Sequence, residues 1–118
     1  MQKINIADGV SISPSLPSTG KPVTIEYSGI LADQPDLTLC VAYGTGPNKF
    51  TSQQDFRMYK GQNKWSASFD ISMNTDTINF AFKDNQGNLD NNNGQCYSSP
   101  VDTDNMSYAW GSLNVNQK

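Results

Sequence analysis

Four segments of this chain alternate apolar and polar residues with a period of two, and that period is the strongest limit on what it can fold into. In PVTIEYSG, Val23, Ile25 and Tyr27 face one way, and Thr24, Glu26 and Ser28 the other. LTLCVAYG repeats the pattern through Leu37, Leu39, Val41 and Tyr43, KWSASFDI through Trp65, Ala67, Phe69 and Ile71, and TINFAFK through Ile78, Phe80 and Phe82. Each reads as a strand with one buried face, which consigns Trp65, Phe69, Phe80 and Phe82 to a core. DFRMYKG adds a fifth strand with Phe56 and Met58 on one side, and GVSIS, CYSSPV and SYAWGSLNV are weaker strands. The segments between them, including GTGPNKFTSQQ and DNQGNLDNNNGQ, are rich in turn residues, and nothing sustains a 3.6-residue period. About eight short strands on 118 residues predict one domain, 1–118, built as an all-β, antiparallel β-sandwich of immunoglobulin-like kind.

What the chain lacks removes most catalytic chemistry. It has no histidine, one glutamate (Glu26) and one arginine (Arg57), so Ser/His and Cys/His nucleophile pairs and His-based zinc sites are excluded. Every aspartate except Asp70 sits in a polar, turn-like context unsuited to a raised pKa, so paired-carboxylate catalysis is not expected either. We expect no enzyme activity and no cofactor. A formal charge of −3 and a pI near 4.5, without a Lys/Arg cluster, argue against nucleic acid. No apolar run reaches the roughly 18 residues of a membrane span, so no membrane partner is expected. The start, MQKINIADGV, does not read as a signal peptide, which leaves localisation open. Cys40 and Cys96 admit two readings, a disulfide or two reduced thiols with Cys40 buried as a small hydrophobe; their spacing around Trp65 does not match that of antibody domains.

The stretch NLDNNNGQCY, from Asn88 to Tyr97, is longer than a turn needs. No start within it meets the ligand pattern of an EF-hand loop, and no metal is expected there. Its amides suit a sugar better, because each side-chain amide both donates and accepts and can pair with vicinal hydroxyls. Neutral amides fit a neutral ligand. A sugar ring also needs an aromatic face to stack on, and Phe50, in a polar segment predicted as loop, is the free candidate. The plainer reading of DNNNG is a turn in which Asp90 or Asn91 bonds nearby backbone amides.

In order, PVTIEYSGIL, LTLCVAYGTGPNKFTSQQDFRMYK, KWSASFDI and INFAFKDNQGNLDNNNGQCYSSPV resemble the starch-binding carbohydrate-binding modules of families 25 and 53. The resemblance covers roughly residues 10–101, and INFAF followed by DNNNG is its most specific part. It implies a non-catalytic domain that docks on α-1,4-linked glucan, such as starch, glycogen or malto-oligosaccharides, attached to or associated with a glycan-active enzyme. It would be extracellular if part of a secreted amylase. By position, the family's loop aromatic falls at Phe50, its turn tryptophan at Leu89, the polar turn residues at Asp90, Asn91 and Asn92, and an often-histidine strand residue at Ala42. Leu89 and Ala42 carry no ring, and two lost faces weaken binding by about one to two orders of magnitude. Tyr43, Tyr108 or Trp110 could replace them. The alternative is a β-sandwich serving protein interaction or structure without sugar.

Overall fold

The computed structural model describes residues 3–45 and 48–102, with residues 48–51 described by backbone only. Ten strands are present among them: β1 (Ile4–Ala7), β2 (Val10–Ser13), β3 (Pro22–Tyr27), β4 (Leu37–Thr45), β5 (Asn48–Arg57), β6 (Tyr59–Lys60), β7 (Trp65–Asp70), β8 (Thr77–Asp84), β9 (Leu89–Asp90) and β10 (Tyr97–Pro100). They form two antiparallel sheets. The first runs β1-β2-β3-β7-β6, and the second runs β10-β8-β4-β5 with β9 also paired to β8. Strands β2, β3, β7 and β6 thus take the places of A, B, E and D of an immunoglobulin domain, and β4, β8 and β10 those of C, F and G. The predicted sandwich is the fold. SYAWGSLNV, the last predicted strand, lies outside the described residues, as do Tyr108 and Trp110.

The alternation decides which face of each strand is inside. Val23, Ile25 and Tyr27 of β3, Leu37, Leu39, Val41 and Tyr43 of β4, and Ile78, Phe80 and Phe82 of β8 form one buried cluster with Trp65, Ala67 and Phe69 of β7. Trp65 takes its indole N–H to the Ala32 carbonyl at 2.9 Å, so its polar end is satisfied inside. Two expectations need correction. The segment around Phe50, predicted as loop, opens the ten-residue strand β5. An edge strand held by backbone pairing to β4 needs little apolar periodicity, and among the described side chains of this stretch Phe56, stacked on Phe69 at 4.5 Å, and the nearby Met58 are the apolar ones that dip inward. Cys40 is not a core hydrophobe: it sits half-exposed on the outer face of β4, between inward Leu39 and Val41, and both cysteines are free thiols.

Where antibody domains join B to F by a disulfide, ring contact and a buried carboxylate do so here. Tyr27 of β3 stacks on Phe82 of β8 with centroids 4.0 Å apart. Its hydroxyl donates to Asp90 Oδ2 at 2.6 Å and accepts from the Leu31 amide at 3.0 Å. Tyr97 donates to the other oxygen, Asp90 Oδ1, at 2.8 Å. Gly29 is required beside this ring, because a Cβ there would lie 2.6 Å from Tyr27 Cε1. Burial and then the neighbouring Asp90 carboxylate push the Tyr97 phenol from its ordinary value of 10.0 up to about 12, and Tyr27 is raised by the same causes. A folded pKa above the unfolded one means that the stabilisation is complete below pH 10 and is lost as the pH climbs through about 12. Tyr97→Phe, which leaves Asp90 Oδ1 short of a donor, is expected to cost about 1 to 3 kcal/mol at pH 7. Urea unfolding should show that cost, and a shallower alkaline decline than wild type.

Candidate functional site

The asparagine stretch is a wide bulge in the edge of the second sheet. Phe82 pairs with Asp90 and Phe80 with Tyr97, so residues 91–96 all stand opposite Ala81. Asp84 closes the preceding hairpin, accepting from the Asn88 amide and side chain, each at 2.8 Å, and from the Gln86 amide at 2.9 Å. These bonds, that of the Asn88 side chain foremost, hold the Asp84 carboxyl below its ordinary value. Asp90 and Tyr97 clamp the base of the bulge, and Cys96 N–H closes it on the Asn91 carbonyl at 2.8 Å. Within it, Gly94 N–H donates to Asn91 Oδ1 at 2.9 Å, and the Asn92 side chain donates to the Cys96 carbonyl at 3.2 Å. Asn92, Asn93, Gly94 and Cys96 all have positive φ, at 57°, 58°, 90° and 63°. Asparagine and glycine tolerate that region, which is why the composition is what it is.

The bulge walls a groove on the outer face of the second sheet. Register places Gln53, Ala42, Asn79 and Ser98 in one row across four strands, and Asp55, Cys40 and Ala81 in the next. A third row holds Arg57, Thr38, Lys83 and Leu89. Small residues at the centre, Cys40, Ala42 and Ala81, let the surface sink between taller neighbours. The resulting groove holds about 310 Å³ and is bounded by Gln53, Asn79, Lys83, Leu89, Asn91 and Cys96. That is the lower end of small-ligand pockets. Burial raises the Cys40 thiol above its ordinary value, with the nearby Asp55 carboxylate adding to the effect, so the groove presents a neutral thiol. Among the described residues no group of three or more His, Cys, Asp or Glu could hold a metal.

The residues singled out from sequence separate. Leu89, 51% exposed, and Asn91 both border the groove, with Ala42 on its floor. Asn92 lies beside them in the bulge, its amide nitrogen committed to the Cys96 carbonyl. Asp90 is not a surface group: it is 9% exposed and both carboxylate oxygens take phenolic donors. Tyr43 is likewise a core residue at 2% exposure, with its hydroxyl on Gln54 Oε1 at 3.1 Å, because its parity along β4 matches Leu39 and Val41. The Phe50 backbone belongs to β5, the strand that carries Gln53, and its side chain lies outside the described residues. Gln53, Asn79, Ala81, Lys83 and Cys96 were missed. Strand parity alone marks Asn79, Ala81 and Lys83 as outward, but only the register of β5 and the bulge brings Gln53 and Cys96 to them.

Comparison with known proteins gives one similarity of weight. An alpha-amylase of Clostridium acetobutylicum is 35% identical over 91 residues, which is 75% of this chain. The chain spans about 11% of the length of that relative. No family model matches, and no solved structure matches with significance.

The positive φ at the tip of the bulge gives a direct check. Asn93→Ala should lower stability by up to about 1 kcal/mol, because alanine keeps the Cβ but loses the short polar side chain that makes the left-handed region tolerable for asparagine, while Asn93→Gly, which removes the Cβ, should retain or slightly raise it. Thermal unfolding of the two variants side by side measures the difference.

Proposed function

We propose that this chain is a non-catalytic accessory domain that binds α-1,4-linked glucan on the outer face of its second sheet, as starch-binding modules of families 25 and 53 do. The observation that carries this reading is the similarity to a short portion of an alpha-amylase, a portion far smaller than the whole enzyme. Such a part serves its enzyme by holding substrate close, which raises effective concentration without new chemistry. An attached or associated glycan-active enzyme is the natural partner.

The groove suits such a ligand. A neutral oligosaccharide lying over Ala42 and Ala81 meets amides from Gln53, Asn79 and Asn91 at its edges and the Lys83 ammonium at one corner. Leu89 supplies an apolar platform in place of a ring, and Phe50, on the sequence resemblance, the aromatic face. Asp90 acts from beneath, fixing the bulge that carries Leu89 and Asn91. The open, shallow shape and the scarcity of rings favour weak binding.

Native affinity electrophoresis in gels containing soluble starch, glycogen or xylan tests the reading. Wild type should be retarded by starch and glycogen and not by xylan, Ala42→Arg should abolish the retardation, and Leu89→Trp should tighten binding about tenfold. If neither wild type nor Leu89→Trp is retarded in any gel, the domain is not a glucan binder.

A further inference from the structure

The first sheet also presents a structured outer face. Register aligns Asn5, Ser11, Glu26, Ser66 and Tyr59 in one continuous row across β1, β2, β3, β7 and β6. Three of the five are short or amide side chains, so the row is low at Ser11 and Ser66. Beside it lies a trough of about 400 Å³ bordered by Lys3, Asn5, Asp8, Ser11, Glu26 and Lys64. At the far end of the row stands Tyr59, 69% exposed and the most exposed aromatic among the described residues.

Glu26 is the centre of this face. Lys3 at 3.0 Å, Lys64 at 3.2 Å and the Ser11 hydroxyl at 3.3 Å all donate to the same oxygen, Oε1. Among the described residues these bonds all go to Oε1 and leave Oε2 to accept from a ligand. The Lys3 ammonium, through its bond to this oxygen, and then Lys64 hold the Glu26 carboxyl below its ordinary value against the opposing effect of burial, so the acceptor is charged at neutral pH. The two ion pairs are exposed and therefore weak, which leaves their ammonium groups ready to donate to hydroxyls. The two lysines, Glu26 and Asp8 sum to zero formal charge, which favours a neutral ligand over an anion.

Acceptor, donors, hydroxyls and an aromatic wall in one row are what a neutral saccharide requires. Glu26 and Tyr59 are two strands apart, roughly 10 Å at the usual strand spacing, so neighbouring units of one oligosaccharide can reach both. We propose that the first sheet carries a second saccharide-binding face, with Glu26, Ser11 and Lys64 pairing hydroxyls and Tyr59 stacking on a ring. The choice of a glucan as ligand rests on the function proposed above, whereas the face itself is independent of the Leu89 groove. Two faces on opposite sides of one sandwich would let a single domain bridge two glucan chains.

Titrating the ¹⁵N-labelled full chain with maltoheptaose tests this site by site. The amides of Ser11, Glu26, Ser66 and Tyr59 should shift together with those of Ala42, Ala81 and Leu89, following a separate binding curve. In Tyr59→Ala the first set should need about ten times more sugar while the second set is unchanged. Ala42→Arg should do the reverse, and the folded spectrum of each variant serves as its own control. Shifts confined to Ala42, Ala81 and Leu89 would overturn the second face and leave the glucan groove standing. No shifts at either face would overturn both.

Discussion

A carboxylate buried between two phenols fixes the geometry on which everything else rests. Asp90 sits on a two-residue strand at the edge of one sheet, and Tyr27 reaches it from the opposite sheet. An unpaired buried carboxylate would cost several kcal/mol, but here each oxygen takes a phenolic hydrogen bond within 2.8 Å. Because Tyr27 also stacks on Phe82 and holds the Leu31 amide, the same residue ties together the core, the β3–β4 connection and the base of the bulge. A sandwich of this size without a disulfide gains its inter-sheet registration in this way.

From that anchor the surface follows. Asp90 and Tyr97 mark the two ends of an excursion that leaves and rejoins the edge of β8, and the asparagines between them serve first as conformers and caps. Their composition looked like a set of ligand contacts, yet part of their hydrogen-bonding capacity is spent inside the bulge. What the bulge offers outward is Leu89, the Asn91 side chain and a wall for the shallow floor of Cys40, Ala42 and Ala81. The side chains around the groove therefore come from β4, β5, β8 and β9 and from the bulge, each positioned by backbone pairing.

The alternation along β3, β4, β7 and β8 made the sandwich and nearly all of its core legible, because burial of one face imposes a period of two. The same parity places Tyr43 inside with Leu39 and Val41 and Cys40 outside; the suggestion of Tyr43 as a replacement ring and of Cys40 as a buried hydrophobe set that direction aside, while the reading of two reduced thiols agrees with the structure. The first part of β5 was hidden because an edge strand can be held by backbone bonds with few apolar residues, and its polar run reads as loop; the strand predicted at DFRMYKG divides, its first residues closing β5 in one sheet and Tyr59–Lys60 forming β6 in the other. Asp90 was legible as special, and the plainer reading of DNNNG as a turn capped by its own side chains is seen at Asn91, which accepts from the Gly94 amide. The Asp90 carboxylate faces the core because Asp90 pairs with inward Phe82, a register that depends on how the chain turns between Asp84 and Leu89. Likewise the row from Asn5 to Tyr59 is invisible in sequence, since it gathers one residue from each of five strands.

In the proposed glucan complex, sugar lies over the small-residue floor and Asp90 supports it from below without touching it, an arrangement that a single experiment reaches most directly. A crystal structure with malto-oligosaccharide should show glucose units over Ala42 and Ala81, bonded to Gln53, Asn79 or Asn91, with Asp90 still held by Tyr27 and Tyr97. A sugar bonded to Asp90 with those phenols displaced, or a groove empty at saturating sugar, would contradict it.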